Sequence, residues 1–164
     1  MLCTLIVAAG LHAADYKDVP RTALLNRTGT VNIETFKGSI RIGTWDRPKI
    51  DIQARIEADG ASSLDRRRFE RTQVSIDASA DYFLIRTRYP DGSCCDWRTG
   101  NKPYVSYTIR MPRSVSLCIR DRRSDTEING LVGPLDFDTH GGSAAIEFAS
   151  FSAESHVDTH APRR

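Results

Sequence analysis

Asp136-Phe137-Asp138-Thr139-His140 returns as His156-Val157-Asp158-Thr159-His160, twenty residues later. The same step links Glu127-Ile128 to Glu147-Phe148, Leu131 to Phe151, and Leu117-Cys118-Ile119 to Phe137-Asp138-Thr139. A degenerate copy lies upstream: Ile33-x-Thr35-x-x-Gly38-Ser39 parallels Phe137-x-Thr139-x-x-Gly142-Ser143. A step this short holds two short strands and a turn, a unit that cannot bury its apolar side alone and must stack on its neighbours. The repeat therefore predicts a β-solenoid with coils of about 20 residues. Its inward ladders would be Leu117–Phe137–Val157, Ile128–Phe148 and Leu131–Phe151.

Upstream of the repeat the dominant period is two. Val31, Ile33 and Thr35 alternate with polar neighbours, and so do Ile40-Arg41-Ile42, Ile50-Asp51-Ile52, Val74-Ser75-Ile76 and Tyr107-Thr108-Ile109-Arg110. Such runs, broken by Gly, Pro and Asp, read as half-buried strands. Val74–Ala78 and Tyr82–Tyr89 form a hairpin around Ser79-Ala80-Asp81. Only Ser63–Arg71 reads as helical, with Ser62 as N-cap and Asp65 closing a capping box. The fold class is all-β: a solenoid, a strand and hairpin region before it, and at most one short helix.

The first fourteen residues carry no charge, and Leu2 to Ala9 form an apolar run. This run is too short to span ~30 Å of hydrocarbon as a helix. It reads as a secretory signal peptide cleaved after Ala13 or Ala14, leaving residues 15–164 as a single exported domain. No other segment is apolar and long enough to cross a membrane. Export leaves Cys94, Cys95 and Cys118, an odd set that allows at most one disulfide within the chain. Adjacent Cys94-Cys95 lacks the C-x-x-C spacing of a zinc site. Tyr89 to Pro103 reads as a long loop, with two prolines, two glycines and both cysteines.

The net charge of +2 is too small to argue for nucleic acid, and Arg66-Arg67-Arg68 reads as a solvated helix face. Residues 124–162 hold no Lys or Arg and seven Asp or Glu. No catalytic motif is present. In the 20-residue register Asp136 stands beside His156, Asp138 beside Asp158, and His140 beside His160. Three of the four histidines then share one outward patch with three aspartates. Imidazole and carboxylate together suit Zn²⁺, Ni²⁺ or Cu²⁺. The chain has no other cofactor signal.

The chain resembles the bacterial putative-adhesin domain family. The resemblance rests on Gly38-Ser39-Ile40-Arg41-Ile42-x-x-Trp45-Asp46-Arg47-Pro48-x-Ile50-x-Ile52-x-Ala54, on Tyr104-Val105-x-Tyr107-x-Ile109-x-x-Pro112, and on the repeats after Ser116. It implies a repetitive extracytoplasmic β-solenoid in the periplasm, at the cell surface or secreted. The implied role is non-catalytic binding of an envelope polymer, a surface glycan or a protein partner. Two alternatives are an assembly subunit that pairs through an exposed solenoid edge, and a glycan-cleaving β-helix enzyme. Arg122-Arg123-Ser124 and Ala161-Pro162 stand where the family places turn glycines. The chain stops at Arg164 within a repeat, which reads as a truncated C-terminus or an uncapped edge covered by oligomerisation.

Overall fold

A computed structural model describes residues 16–89, 102–150 and 155–160. Twelve strands and one helix follow in chain order: β1 (Tyr16–Leu24), β2 (Thr30–Glu34), β3 (Lys37–Trp45), β4 (Lys49–Glu57), α1 (Ser63–Arg71), β5 (Gln73–Ala78), β6 (Tyr82–Arg88), β7 (Tyr104–Pro112), β8 (Ser116–Asp121), β9 (Arg123–Leu131), β10 (Leu135–Thr139), β11 (Gly142–Phe148) and β12 (His156–Thr159). They make two six-stranded sheets, ordered β1-β4-β7-β3-β9-β11 and β12-β10-β8-β2-β6-β5. Strict alternation of Ile, Val and Phe with polar residues gives each central strand one buried face. The two inner faces close one core, with Ile33, Phe83 and Phe137 from one sheet and Ile40, Ile109 and Tyr107 from the other.

The expected β-solenoid is not what the chain forms. Both sheets are mixed, because β1–β4, β4–β7 and β5–β6 pair antiparallel. A solenoid needs every connection to carry the chain forward in the same sense. Here the turn at Asp46–Pro48 and the hairpin at Ser79–Asp81 reverse it, and β7 inserts between β4 and β3. The repeat survives as local parallel pairing, with a step that varies. Phe137 pairs with Val157 at the expected twenty residues. Leu117, however, pairs with Leu135 rather than Phe137, and Ile128 with Ile146 rather than Phe148. Phe148 pairs with Leu131, past an irregularity in β11. A slip of two residues keeps every side chain on its own face, so alternation alone does not distinguish eighteen from twenty. The upstream copy does align: Ile33, Ile119 and Phe137 share one row, and Gly38, Ser124 and Gly142 another.

Local predictions at α1 and the β5–β6 hairpin agree with the structure. The Asp65 amide donates to Ser62 Oγ at 3.1 Å and the Ser62 amide returns to the Asp65 carboxylate at 3.3 Å. Phe69 is the residue by which α1 joins the core. Among the described residues no helix is long and apolar enough to cross a membrane. The expected signal peptide, its cleavage residues Ala13 and Ala14, Phe151, and the cysteines Cys94 and Cys95 lie outside the described residues.

Candidate functional site

A polar corner fixes the end of β10. Asp121 is 3% exposed at the junction of β8 and β9. It accepts from the Ser124 amide at 2.7 Å, from Ser124 Oγ at 2.6 Å and from the Arg123 amide at 3.3 Å. Thr139 Oγ1 lies 3.1 Å from Asp121 Oδ2, the oxygen that also receives the Ser124 amide, and 2.7 Å from the Gly141 carbonyl. A buried polar group needs such partners, and these tie the last residue of β10 to the start of β9. His140 follows directly, and the His160 amide donates to the Thr139 carbonyl at 2.8 Å. Two imidazoles thus leave neighbouring parallel strands at the same level.

The structure brings together three of the six residues singled out as metal ligands. One ligand atom each from Asp138, His140 and His160 lies within 4.8 Å of the other two. Asp138 Oδ1 is 3.9 Å from His140 Nδ1 and 3.8 Å from His160 Nδ1. The rings stack at 5.0 Å between centroids and 21° between planes. Asp158, opposite Asp138 in the register, places Oδ1 3.7 Å from His160 Nδ1. Asp138 Oδ1 is buried and accepts no hydrogen bond.

Asp136 and His156 stand apart from this group. They face each other at the far end of β10–β12, about 13 Å along the strand from His160 at ~3.3 Å per residue. Asp136 is held by Arg120 at 2.8 Å and by the Cys118 thiol at 3.6 Å. His156 lines an open hollow of about 320 Å³ with Ser116, Cys118 and Pro134. Cys118 is a free thiol whose pKa is pushed up, chiefly by burial. Arg120 went unremarked in the sequence because it lies outside the repeat. The register sets it opposite Asp138, to which it donates at 3.1 Å.

A second site, not legible as a motif, lies on the outer face of the other sheet. Thr108 of β7 sits between longer side chains on both neighbours, and Ser106 between Arg55 on one side and the equally short Ser39 on the other. Arg55 and Gln53 of β4 stand opposite them on one side, and Arg41 of β3 on the other. Small groups in the middle and long ones at the sides make a trough of about 530 Å³. Arg55 closes one end through a bidentate pair with Asp18, at 2.7 and 3.2 Å, and lies 4.6 Å from the centre of the exposed Tyr16 ring. The hydrogen bond from Arg55 holds the Asp18 carboxyl below its ordinary pKa. Among the described residues, the side chains of Gln53, Ser106 and Thr108 have no hydrogen-bond partner.

No family model matches the chain, and no curated protein matches its sequence. Several solved structures are similar in strand arrangement. A putative cell adhesion protein from Clostridium sporogenes ATCC 15579 shares 9% identity at a TM-score of 0.46, over 77% of this chain and 59% of that one. A putative adhesin from Bacteroides fragilis NCTC 9343 shares 14% identity at a TM-score of 0.37, over 79% and 53%. A putative lipid binding protein from Parabacteroides distasonis ATCC 8503 shares 9% identity at a TM-score of 0.36, over 79% and 60%. The chain spans between half and three-fifths of the length of these structures. At TM-scores below 0.5 the likeness is loose and carries no function across.

Proposed function

We propose that the chain is a non-catalytic binding module of the bacterial cell envelope, and that it holds an extended surface glycan along the trough over β7. The observation that carries the reading is the set of unpaired donors and acceptors lining the trough, Ser106 and Thr108 on its floor and Gln53 on its wall. Sugar hydroxyls both donate and accept, and a row of amide and hydroxyl groups on rigid strands meets them without rearrangement. The exposed Tyr16 ring at the closed end offers an apolar face of the kind a pyranose ring packs on. The uncharged leader-like run before residue 15 supports export.

Glycan cleavage is the weaker reading on chemical grounds. A glycosidase needs one carboxyl kept protonated as general acid, which calls for a raised pKa. In the trough Asp18 is pushed the opposite way by Arg55.

The test is titration of the untagged protein with oligosaccharides released from bacterial envelope polysaccharide, followed by calorimetry. Saturable binding without release of reducing ends is expected. Ser106→Trp, which fills the floor, should abolish it while leaving the fold intact by circular dichroism. Hydrolysis of the ligand, or no binding to any envelope glycan, would overturn the reading.

A further inference from the structure

The hydrogen bonds around Asp138 leave one contradiction. Its Oδ2 receives Arg120 at 3.1 Å, while its Oδ1 is buried and has no donor. A carboxylate oxygen withdrawn from water without a partner is costly. This one is also set in parallel register beside a second carboxylate, Asp158. Two imidazole Nδ1 atoms lie on the same oxygen, both beyond hydrogen-bond distance. Three donor groups, Asp138 and two histidines, thus converge within 4.8 Å of one another, and Asp158 adds a second carboxylate 3.7 Å from His160 Nδ1.

A tetrahedral Zn²⁺ with bonds of about 2.1 Å sets its ligand atoms roughly 3.4 Å apart. Each imidazole lies within a few tenths of an ångström of that from Asp138, at 3.9 and 3.8 Å, and His160 is 3.7 Å from Asp158, while the whole trio spans no more than 4.8 Å. Both imidazoles are about half exposed, so they can turn about their side-chain bonds to close the difference. Mixed nitrogen and oxygen donors at this spacing suit borderline transition cations rather than Ca²⁺ or Mg²⁺, which take all-oxygen shells.

We propose that Asp138 Oδ1, His140 and His160 bind one divalent transition-metal ion, with Asp158 as fourth ligand, and that the ion clasps the edge strand β12 to β10. The clasp matters because β12 has four residues, is the last strand of its sheet among the described residues, and leaves Val157 half-exposed. Arg120 acts outside the coordination sphere. By holding Oδ2 it turns Oδ1 toward the imidazoles, as an outer-shell partner does. The site is on the opposite sheet from the β7 trough, and the inference stands whether or not a glycan binds there.

Calorimetric titration of untagged, chelator-treated protein with ZnCl₂ tests it. One ion per chain is expected, with the protein monomeric by light scattering before and after. His140→Ala and His160→Ala should each weaken binding at least tenfold, since loss of an outer-shell partner already costs about 10–100-fold. His156→Ala and Asp136→Asn should leave affinity unchanged. Zn²⁺ should also slow amide exchange across Val157–Thr159 in the wild type, and not in the double variant H140A/H160A. Absence of saturable binding at millimolar Zn²⁺ would overturn the proposal. Equal loss in His156→Ala, or one ion per two chains with dimerisation, would overturn it as well.

Discussion

The rings of His140 and His160 stack 5.0 Å apart although twenty residues separate them in sequence. Parallel pairing of β10 with β12 produces the contact, and the Asp121–Thr139 corner sets its position. Both ends of the relationship are therefore structural, and each can be disturbed alone.

Asp138 and Asp158 repel across the β10–β12 register. Asp158→Asn removes that repulsion, so the metal-free protein should melt slightly higher than wild type. The same change should reduce the rise in Tm caused by Zn²⁺, because it removes a ligand. Differential scanning calorimetry with and without Zn²⁺ reads both effects. A lower metal-free Tm would show that Asp158 serves the strand in another way.

Asp121→Ala leaves the Ser124 amide, the Ser124 hydroxyl and the Arg123 amide without their acceptor, while Thr139 Oγ1 keeps the Gly141 carbonyl. Each such loss costs about 1–3 kcal/mol, so a destabilisation of roughly 3 kcal/mol or more is expected by urea unfolding. Zn²⁺ affinity should fall with it, since His140 follows this corner. A change under about 1 kcal/mol would mean that water replaces the lost acceptor.

Tyr107 is fully buried and its hydroxyl meets Thr87 Oγ1 at 2.6 Å. Burial pushes its pKa up to about 12. A phenol whose pKa is raised by folding stabilises fully below its ordinary value, ~10, and loses that contribution as pH climbs to the folded value. Stability should therefore decline between about pH 10 and 12, with tyrosinate absorbance appearing on unfolding. Tyr107→Phe should flatten part of that decline and cost about 1 kcal/mol at neutral pH for the lost hydrogen bond. Half-buried Tyr89 is shifted in the same direction, chiefly by desolvation, and adds to the decline.

Gly142 opens β11 at φ +95°, and a Cβ there would lie 2.1 Å from the Ser124 carbonyl oxygen. Gly142→Ala should lower stability by more than about 2 kcal/mol, combining strain with a backbone clash. Gly43 in β3 is the control: a Cβ there meets nothing within 4 Å. Gly43→Ala should be neutral or slightly stabilising. Equal effects at the two positions in chemical denaturation would contradict the β9–β11 register.

Strand positions from β2 onward, the α1 capping box and the β5–β6 hairpin were legible because each rests on patterns only a few residues long, whereas β1 was not read as a strand. The Asp136–His140 and His156–His160 match made the pairing of β10 with β12 visible, and with it the nearness of Asp138, His140 and His160. Architecture was not legible. Val31–Thr35 and Ile50–Ala54 alternate identically whether their neighbours run parallel or antiparallel, so the pattern is silent on chain direction. The eighteen-residue step from Ile119 to Phe137 was hidden for a related reason: a two-residue slip leaves every face unchanged. Arg120 escaped notice with it. The trough escaped because Ser106 and Thr108 carry no signature until Arg55 and Gln53 of β4 and Arg41 of β3 stand beside them.

Amide chemical-shift mapping measures directly what lies over β7. The ¹⁵N-labelled protein is titrated with the oligosaccharide that binds best by calorimetry. The account predicts saturating shifts at Gln53, Arg55, Ser106 and Thr108, and none at Ser116 or His156. Shifts confined to the β8–β10–β12 face, or scattered without saturation, would contradict it.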